Sequence, residues 1–364
     1  MKILGLMSGT SMDGLDCCYA DIDIDKDYNL KFEIIDFRTY NFATDIKNLI
    51  NQSLGNENLD TTLKCSEELG MFFYDTSKEF LNNRYVELIS LHGQTISHID
   101  GKSTVQIGNP KYLYEYFKVP VCYEFRKLDI RLGGTGAPLI PFLDWLIFKD
   151  LSFNVITLNL GGIANITYLP SFCTRNDVIG FDTGPGMCLI DEYVKLNFDL
   201  SYDKDGLLAS KGNINHDLLY HLMEDHFINK KYPKSTSREV FGFKYLSKVV
   251  DKFKRISTFD FLRTLVMFTA TSIHYNVKKY IRYKDNLRLI LSGGGSKNLL
   301  LVSDLKSLFK DVHITFINEY SIESDAKESF LMAVMGVTRF MNIDNNMPSV
   351  TGARKNACYG EIYE

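Results

Sequence analysis

Residues suited to binding phosphate are concentrated in the first turn of the chain. Residues 8–16 include two glycines, three hydroxyl side chains and two carboxylates, and they follow the apolar run of residues 2–7. Glycine lets a backbone approach a ligand closely or adopt φ > 0. Hydroxyls and backbone amides can surround a phosphate, and a neighbouring aspartate can bind Mg²⁺ directly or through water. Because Asp-Gly is also common in hairpin turns, these residues alone leave a phosphate-binding loop and a plain β-hairpin open.

Three further glycine-rich turns follow apolar runs that read as strands, at residues 161–162, 180–186 and 293–295. None has the Gly-Lys-Ser/Thr ending of a Walker A loop, and no Gly-x-Gly-x-x-Gly follows the first strand. Open α/β sheets bind ligands at the carboxyl ends of their strands. The turns together therefore predict one nucleotide in a cleft between two domains. For residues 293–295, a simple strand-to-helix turn is the alternative.

Asp182 is the residue best suited to act as a general base. It follows the apolar run of residues 178–181 and precedes Thr-Gly-Pro-Gly, so its carboxylate is expected at the end of a rigid strand. A general base must lie on a supported element, within hydrogen-bond reach of the proton that it removes. An aspartate that only caps the following turn is the alternative.

Composition and charge argue against several classes of protein. The chain has 364 residues, of which 45% are hydrophobic and 24% charged, and its net charge is −4. It lacks the basic excess of a nucleic-acid-binding surface. The apolar run of residues 139–148 is interrupted by Asp144, so no membrane span is predicted. Seven cysteines without CxxC spacing predict reduced thiols in a cytoplasmic protein, and the first residues read as a strand rather than a signal peptide.

The order of the elements indicates an internal duplication. A strand, a glycine turn and a second strand occur over residues 2–24 and again over residues 154–169. This repetition predicts two copies of one α/β unit, and the length of the chain suits two domains. The predicted domains are residues 1–137 with about 345–364, and residues 138–344.

Short motifs along the chain resemble those of one known family. They lie at residues 7–16, 92–95, 136–139, 159–165, 181–186, 233–236, 293–295, 325–328 and 348–353. In this order they resemble the anhydro-N-acetylmuramic acid kinases, which belong to the actin, sugar kinase and Hsp70 superfamily. The resemblance extends over essentially the whole chain.

The resemblance implies an α/β protein with the two-domain, duplicated actin-like ATPase (ribonuclease H-like) fold and an interdomain cleft that binds ATP and Mg²⁺. In this family the aspartate that corresponds to Asp182 activates water, which attacks C1 of a 1,6-anhydro sugar. The bridging oxygen is released as O6 and takes the γ-phosphate. The expected products are N-acetylmuramic acid 6-phosphate and ADP, in cell-wall recycling. The resemblance also implies a homodimer.

The resemblance places ATP against the glycine-rich turns. The predicted ATP-binding residues are Gly9, Thr10, Ser11, Met12, Asp13, Gly14, Leu15, Asp16, Gly161, Gly162, Gly293, Gly294 and Gly295. Asp13 and Asp16 are also the candidate Mg²⁺ ligands, because carboxylates beside bound phosphates are the usual protein ligands of this ion.

The predicted sugar-binding residues are His92, Gln94, Arg126, Asn165 and Glu328. Arg126 suits a substrate carboxylate such as a lactyl group, because a guanidinium can bind a carboxylate through two hydrogen bonds. A surface ion pair with Asp129 is the alternative.

Two of these assignments depend on the ends of predicted elements. His92 and Gln94 follow a predicted strand at residues 86–91, where they can reach sugar hydroxyls; a buried histidine bonded to the backbone is the alternative. Glu328 begins a helix predicted over residues 324–341, where stabilising the helix start is the alternative.

Three residues depart from the family's usual pattern. Thr135 stands in place of glutamine, Met187 in place of asparagine and Ser237 in place of glycine. The first two replace an amide that can form hydrogen bonds, so they affect substrate preference if the amide contacts sugar and only loop stability if it does not. Two alternative functions therefore stay open: a kinase for a simpler anhydro sugar such as levoglucosan, and a non-catalytic sugar or nucleotide sensor on the same fold.

Overall fold

The computed structural model of the chain describes residues 1–9, 12, 14–55, 59–283 and 286–364. Internal contacts divide the chain into two units. The first contains Met1–Ile147 and Ser321–Glu364, and the second contains Phe148–Tyr320. Each unit has its own sheet and its own hydrophobic core.

The sheet of the first unit is built around the first strand of the chain. Among the described residues it has seven strands: β1 (Lys2–Ser8), β2 (Gly14–Ile24), β3 (Leu30–Asn41), β4 (Leu88–Ile99), β5 (Ser103–Ile107), β6 (Val121–Tyr123) and β12 (Glu361–Tyr363). Their order is β12-β6-β4-β1-β2-β3, with β5 paired to β4. The apolar β1 is buried from Ile3 onward, as expected for a central strand that is covered on both faces.

Helices alternate with these strands along the chain. They are α1 (Thr44–Ser53), α2 (Leu59–Leu81), α3 (Lys111–Phe117), α4 (Lys127–Arg131), α5 (Ile140–Phe148), α12 (Lys327–Phe340) and α13 (Pro348–Thr351). The α2 helix buries Cys65, Leu69 and Phe73, which are four residues apart and therefore share one face of the helix. This face contributes to the core of the unit.

Helix α12 lies directly on the central strands, and two glycines make this close approach possible. A Cβ on Gly5 of β1 would overlap the carbonyl oxygen of Ser329 and lie 2.8 Å from the amide nitrogen of Ala333. A Cβ on Gly336 would lie 2.5 Å from the Cβ of Ser90 on β4. Backbone and small side chains therefore meet at this interface, with no space for a larger residue.

The second unit has a sheet with the same pattern of strand directions. Its strands are β7 (Asn154–Leu160), β8 (Ile163–Leu169), β9 (Ile179–Pro185), β10 (Leu287–Ser292) and β11 (His313–Phe316), in the order β11-β10-β7-β8-β9. Three antiparallel strands, β7, β8 and β9, are followed by β10 and β11, which run parallel to β7. In the first unit, β1, β2, β3, β4 and β6 repeat this arrangement.

The second unit has its own helices. They are α6 (Cys188–Phe198), α7 (His216–Met223), α8 (His226–Asn229), α9 (Phe243–Lys252), α10 (Thr258–Tyr280) and α11 (Leu299–Leu308). The α10 helix begins after Ser257, whose side chain accepts a hydrogen bond from the amide of Asp260. In the part of the chain that the structure describes, no helix combines the length and apolar character that a membrane span requires.

The repeated strand pattern confirms the predicted duplicated, two-domain α/β fold. The unit boundaries, at 147/148 and 320/321, differ from those predicted at 137/138 and 344/345. The main reason is α12, which the sequence grouped with the second domain because it follows that domain's elements. It packs instead on the first sheet, against β1, β2 and β4.

We expect Gly5→Ala to destabilise the protein by about 1–3 kcal/mol, because the added methyl group would force α12 away from β1. Urea unfolding followed by circular dichroism measures this loss. Gly294→Ala is the matched control, since a Cβ there would have no atom within 4 Å. Equal unfolding midpoints for the two variants would contradict the close packing of α12 on β1.

Candidate active site

Polar residues form a row across the sheet of the second unit. In the strand register, Asn165 of β8 lies opposite Asn159 of β7 on one side and Asp182 of β9 on the other. Ser292, the last residue of β10, is the partner of Asn159. Residues opposite one another share a face of the sheet. The predicted residues Asn165 and Asp182 are therefore neighbours on one polar face.

The carboxylate of Asp182 is held by a loop segment that lies far away in sequence. Its Oδ2 accepts hydrogen bonds from the amide of Thr236, at 2.8 Å, and from Oγ of Ser235, at 3.1 Å. The amide of Asp182 itself donates to the carbonyl oxygen of Lys234, at 3.1 Å. Asp182 lies within β9 rather than at a strand end, and this segment supplies the rigid support that the prediction required.

Lys234 anchors that segment in the core of the unit. Its side chain is only 6% exposed, and its Nζ donates to the carbonyl oxygens of Phe227, at 3.0 Å, and Ile228, at 3.1 Å. The rings of Phe181 and Tyr280 also lie within 6.0 Å of the ammonium group. Burial lowers the pKa of Lys234 to about 8, and Asp182 opposes this shift. A buried ammonium group thus fixes the residues that hold Asp182.

The Gly161-Gly162 turn packs tightly against the start of α6. The Gly161 carbonyl accepts from the amide of Met187 at 2.9 Å, and the Gly162 carbonyl accepts from the amides of Gly186, at 2.9 Å, and Cys188, at 3.1 Å. A Cβ on Gly186 would overlap the carbonyl oxygen of Gly161. The first amides of α6 therefore bond to this turn.

The Gly293–Gly295 segment leaves the carboxyl end of β10 beside the end of β7. Gly293 has φ +82°, and a Cβ there would lie 2.5 Å from Oδ1 of Asn159. A Cβ on Gly294 would have no neighbour within 4 Å, so the backbone at this position is open to a ligand. Ser296 closes the turn by donating from its amide and its hydroxyl to the carbonyl of Gly293. This geometry suits the predicted approach of adenosine.

In the first unit, Gln94 braces the described part of the first turn. The hydroxyl of Ser8 donates to Oε1 of Gln94, and Nε2 of Gln94 donates to the carbonyl of Gly9 at 3.2 Å. The amide of Met12 also donates to this carbonyl, and Met12 has φ 55°. Gln94 is fully buried within β4, which continues through residues 92–95 to Ile99. Its position thus favours support of the turn over contact with sugar.

The remaining residues of the first turn have different surroundings. A Cβ on Gly14 would overlap the carbonyl oxygen of Tyr40, and Leu15 is fully buried in the core, so strand packing accounts for both residue types. Asp16, on β2, accepts a hydrogen bond from Thr39 at 2.6 Å and is partly exposed. The predicted Thr10, Ser11 and Asp13 lie outside the described residues.

Asp16 is the described candidate for binding Mg²⁺. Among the described residues, no three His, Cys, Asp or Glu side chains cluster as a metal site would require. Mg²⁺ commonly binds through one or two carboxylates together with substrate phosphates. A partly exposed carboxylate on the strand after the first turn fits that mode of binding.

Buried His92 and half-buried Arg126 form a hydrogen-bonded pair next to the loop of residues 136–138. Nε of Arg126 donates to Nε2 of His92 at 2.9 Å, and Nη1 donates to the carbonyl of Gly136 at 2.9 Å. Nδ1 of His92 lies 2.6 Å from the carbonyl of Gly93, which assigns the proton to Nδ1. Burial, with a smaller contribution from Arg126, lowers the pKa of His92 to about 3. Both groups bonded to the Arg126 guanidinium are therefore neutral.

The alternative ion pair between Arg126 and Asp129 is not formed. Asp129 is fully buried and accepts from the amide of Gly136 at 2.6 Å, the hydroxyl of Thr351 at 2.7 Å and the hydroxyl of Tyr359 at 2.5 Å. Burial lowers the pKa of Arg126 to about 10, so the guanidinium stays charged at neutral pH. This leaves the predicted role of Arg126 toward a carboxylate available.

Glu328 lies in the first turn of α12 with an exposed side chain. The preceding Lys327 is buried and forms an ion pair with buried Asp144 at 2.7 Å. This pair fixes the start of the helix, where no side chain caps the first amides. Electrostatic attraction also links Glu328 to Arg126. Two of the predicted sugar-binding residues, Arg126 and Glu328, therefore belong to one charged region of the first unit.

Two of the three departures from the family pattern have structural explanations here. The hydroxyl of Thr135 donates to the carbonyl of Ala137 at 2.7 Å, so it stabilises the loop that contains Gly136. The sulfur of Met187 would lie 2.8 Å from a Cβ on Gly295, so Met187 packs against the glycine segment after β10. Both residues support loops in this structure.

Sequence reasoning missed the supporting roles of Lys234, Thr236 and Asp129. These roles depend on contacts between residues that are not neighbours in sequence, and some of the contacts are made by backbone amides, which every residue type except proline has. The motif at residues 233–236 was visible, but nothing in its spacing relates it to Asp182. Arg238, which lies against Gly162, was missed for the same reason.

The duplicated sheets and the glycine turns at the carboxyl ends of β7 and β10 define an actin-like ATPase fold, the class that includes sugar kinases. A family model described as anhydro-N-acetylmuramic acid kinase matches residues 1–364. The chain belongs to this family, whose members are kinases that transfer phosphate to an alcohol group.

Named relatives support the same assignment. An anhydro-N-acetylmuramic acid kinase of Clostridioides difficile (strain 630) is 38% identical over 376 residues, covering 100% of this chain and 98% of that protein. One from Bacillus cereus (strain ZK / E33L) is 38% identical over 378 residues, covering 100% and 99%. Among solved structures, a ROK family glucokinase from Streptomyces griseus gives a TM-score of 0.42 at 9% identity, covering 93% of this chain and 100% of that one. The assignment of the fold rests on the strand pattern of the two sheets and not on this likeness.

The neutral state of His92 predicts a pH dependence of stability. The unfolded chain takes up a proton on His92 near pH 6.5, whereas the folded protein does so only near pH 3. Stability from this group is therefore complete above pH 6.5 and decreases as the pH falls, by about 1.4 kcal/mol per pH unit at most. Urea unfolding between pH 7 and pH 4 measures the slope.

We expect His92→Gln to remove this part of the slope, because glutamine can accept from Arg126 without taking up a proton. His313→Gln, at an exposed histidine of the second unit, is the control and should keep the slope of the unchanged protein. Identical slopes in all three proteins would show that His92 does not stay neutral in the folded state.

Proposed function

We propose that this chain uses ATP to convert 1,6-anhydro-N-acetylmuramic acid into N-acetylmuramic acid 6-phosphate and ADP. Membership of the kinase family supports the reaction class. The observation that carries the mechanism is the fixed carboxylate of Asp182, held by Ser235 and Thr236 on the polar face of the second sheet. The cytoplasmic location and the homodimer implied by the resemblance belong to the same proposal.

In the proposed reaction, Asp182 removes a proton from a water molecule that attacks C1 of the anhydro sugar. The C1–O6 bond breaks as the C1–OH bond forms, and O6 attacks the γ-phosphorus while the bond to ADP breaks. The proton from water is later released from Asp182. Phosphoryl transfer depends mainly on alignment and charge stabilisation, so a rigid base on a strand suits this chemistry.

Backbone around the glycine turns is proposed to bind ATP. Gly294 is open to a ligand, and Gly161 and Gly162 form a tight turn beside it on the next strand. Asp16, together with Asp13, would hold Mg²⁺, which neutralises phosphate charge during transfer. Thr39 fixes the orientation of the Asp16 carboxylate.

Arg126 is proposed to bind the carboxylate of the lactyl group. Its Nε and one proton of Nη1 donate to neutral acceptors, His92 and Gly136, which leaves the Nη2 edge for a substrate. A guanidinium with neutral partners keeps its charge uncompensated by a bonded carboxylate and so attracts an anion. Glu328 is proposed to contact the sugar from the same region, and Asn165 from the polar row.

We expect Asp182→Asn to lower kcat by about 100-fold or more, because an amide cannot accept the proton from water. Release of ADP, followed by a coupled assay with the anhydro sugar, measures the loss. Asp199→Asn, at the exposed end of α6, is the matched control and should keep full activity. Unchanged turnover in the Asp182 variant would overturn the mechanism, and no turnover by the unaltered protein would favour a sensor.

We expect Arg126→Ala to raise KM for the lactyl sugar by about tenfold or more while leaving KM for levoglucosan nearly unchanged, because levoglucosan has no carboxylate. Steady-state kinetics with both sugars gives the comparison. Arg131→Ala, an exposed arginine of α4, serves as the control. An equal rise for both sugars would assign Arg126 to loop support alone.

A further inference from the structure

Arg238 is a charged residue of the second unit that the mechanism above does not use. Its side chain is exposed. Across the residues that the structure describes, its guanidinium has no hydrogen-bond acceptor and no ion-pair partner. A guanidinium is always charged at neutral pH and has five N–H donors. Such a group, at rest without an acceptor, is well suited to an anionic ligand.

The guanidinium of Arg238 lies against the Gly161-Gly162 turn. A Cβ on Gly162 would overlap Nε of Arg238 and lie 2.7 Å from Nη2. Glycine at this position therefore allows the charged group to lie on the backbone. The carbonyls of Gly161 and Gly162 face the start of α6, so the amides in the same planar peptide units, of Gly162 and Ile163, point the opposite way.

The turn that contains Arg238 is anchored at both ends. On one side, Thr236 donates to the carboxylate of Asp182. On the other, the carbonyl of Ser237 accepts from the amide of Phe241, whose side chain is fully buried. The hydroxyl of Ser237, the third departure from the family pattern, accepts from the amide of Glu239 at 3.3 Å. One short segment therefore positions both the proposed base and this arginine.

A structural ion pair with Asp191 is the competing role for Arg238. Asp191 belongs to the first turn of α6, and its Oδ1 is buried without a hydrogen-bond partner among the described residues. Burial raises the pKa of Asp191 to about 6, and Arg238 and Lys195 act in the opposite direction. Arg238 influences this carboxylate across a distance but does not bond to it.

We propose that Arg238 binds the phosphoryl group that is transferred from ATP. This inference rests on the function proposed above. Negative charge is spread over the three equatorial oxygens of that group in the transition state, and a guanidinium can donate two parallel hydrogen bonds to such oxygens. Arg238 shares its segment with the residues that hold Asp182, so the arginine and the base are positioned together.

Calorimetric titration of nucleotide without sugar tests this role directly. We expect Arg238→Ala to weaken binding of the non-hydrolysable analogue AMPPNP by about tenfold or more, about 1.4 kcal/mol, because a charge-assisted contact is lost. Binding of ADP should stay within about threefold, since ADP lacks the transferred group. In the kinetic assay kcat should fall, Arg238→Lys should recover part of it, and KM for the sugar should stay unchanged.

Arg255→Ala, which removes the same charge from another exposed position of the second unit, is the matched control. Equal weakening of AMPPNP and ADP by the Arg238 variant would overturn the assignment to the transferred group. Wild-type affinity for both nucleotides, with a lowered unfolding midpoint, would assign Arg238 to the ion pair with Asp191. The titrations remain decisive if the unaltered protein fails to phosphorylate the anhydro sugar, a result that would contradict the proposed function alone.

Discussion

The candidate site of the first unit depends on the hydrogen bonds that the buried carboxylate of Asp129 accepts. A charge removed from water is tolerated only when donors surround it, and Asp129 has three, from Gly136, Thr351 and Tyr359. Two of these donors lie far from Asp129 in sequence: Thr351 is 222 residues away and Tyr359 is 230 residues away. The same Gly136 then offers its carbonyl to Arg126. The position of the Arg126 guanidinium thus depends on the hydrogen-bonded, buried carboxylate of Asp129.

In the second unit, a buried group of positive charge has the corresponding role. Lys234 is a buried cation whose ammonium group is satisfied by backbone carbonyls and aromatic rings. It holds the segment whose hydroxyl and amide bond to Asp182. In both units, the group that would meet substrate is partly exposed, while the charged group that positions it is buried. Rigidity and accessibility are therefore assigned to different residues.

Much of the fold followed from local patterns, because apolar runs, glycine turns and their repetition are encoded within short stretches. The strand-turn-strand repeat correctly indicated two related sheets. The second domain boundary differs from the predicted one because the location of α12 depends on Gly5 and Gly336, whose contacts lie far away in sequence.

For the candidate site too, the sequence indicated some residues but not the partners that position them. Glycines and Asp182 stood out from their neighbours along the chain, whereas the positions of their partners depend on tertiary packing. His92 illustrates the limit: its residue type suits sugar binding, but only its burial and its bond to Arg126 reveal a neutral supporting group. Gln94 is a second case, since its amide is used by Ser8 and Gly9.

The discontinuous first unit has a consequence for synthesis of the chain. Residues 148–320 form the second unit from one continuous stretch, so all of its strands are available once that stretch has been made. The first unit needs α12 to cover β1 and β12 to extend the sheet, and both come from residues after 320. During translation its apolar central strands lack this cover until the residues after 320 have been made, which exposes them to chaperones and to other nascent chains. Strand β1 is therefore fully covered only after residues 327–340 have been made.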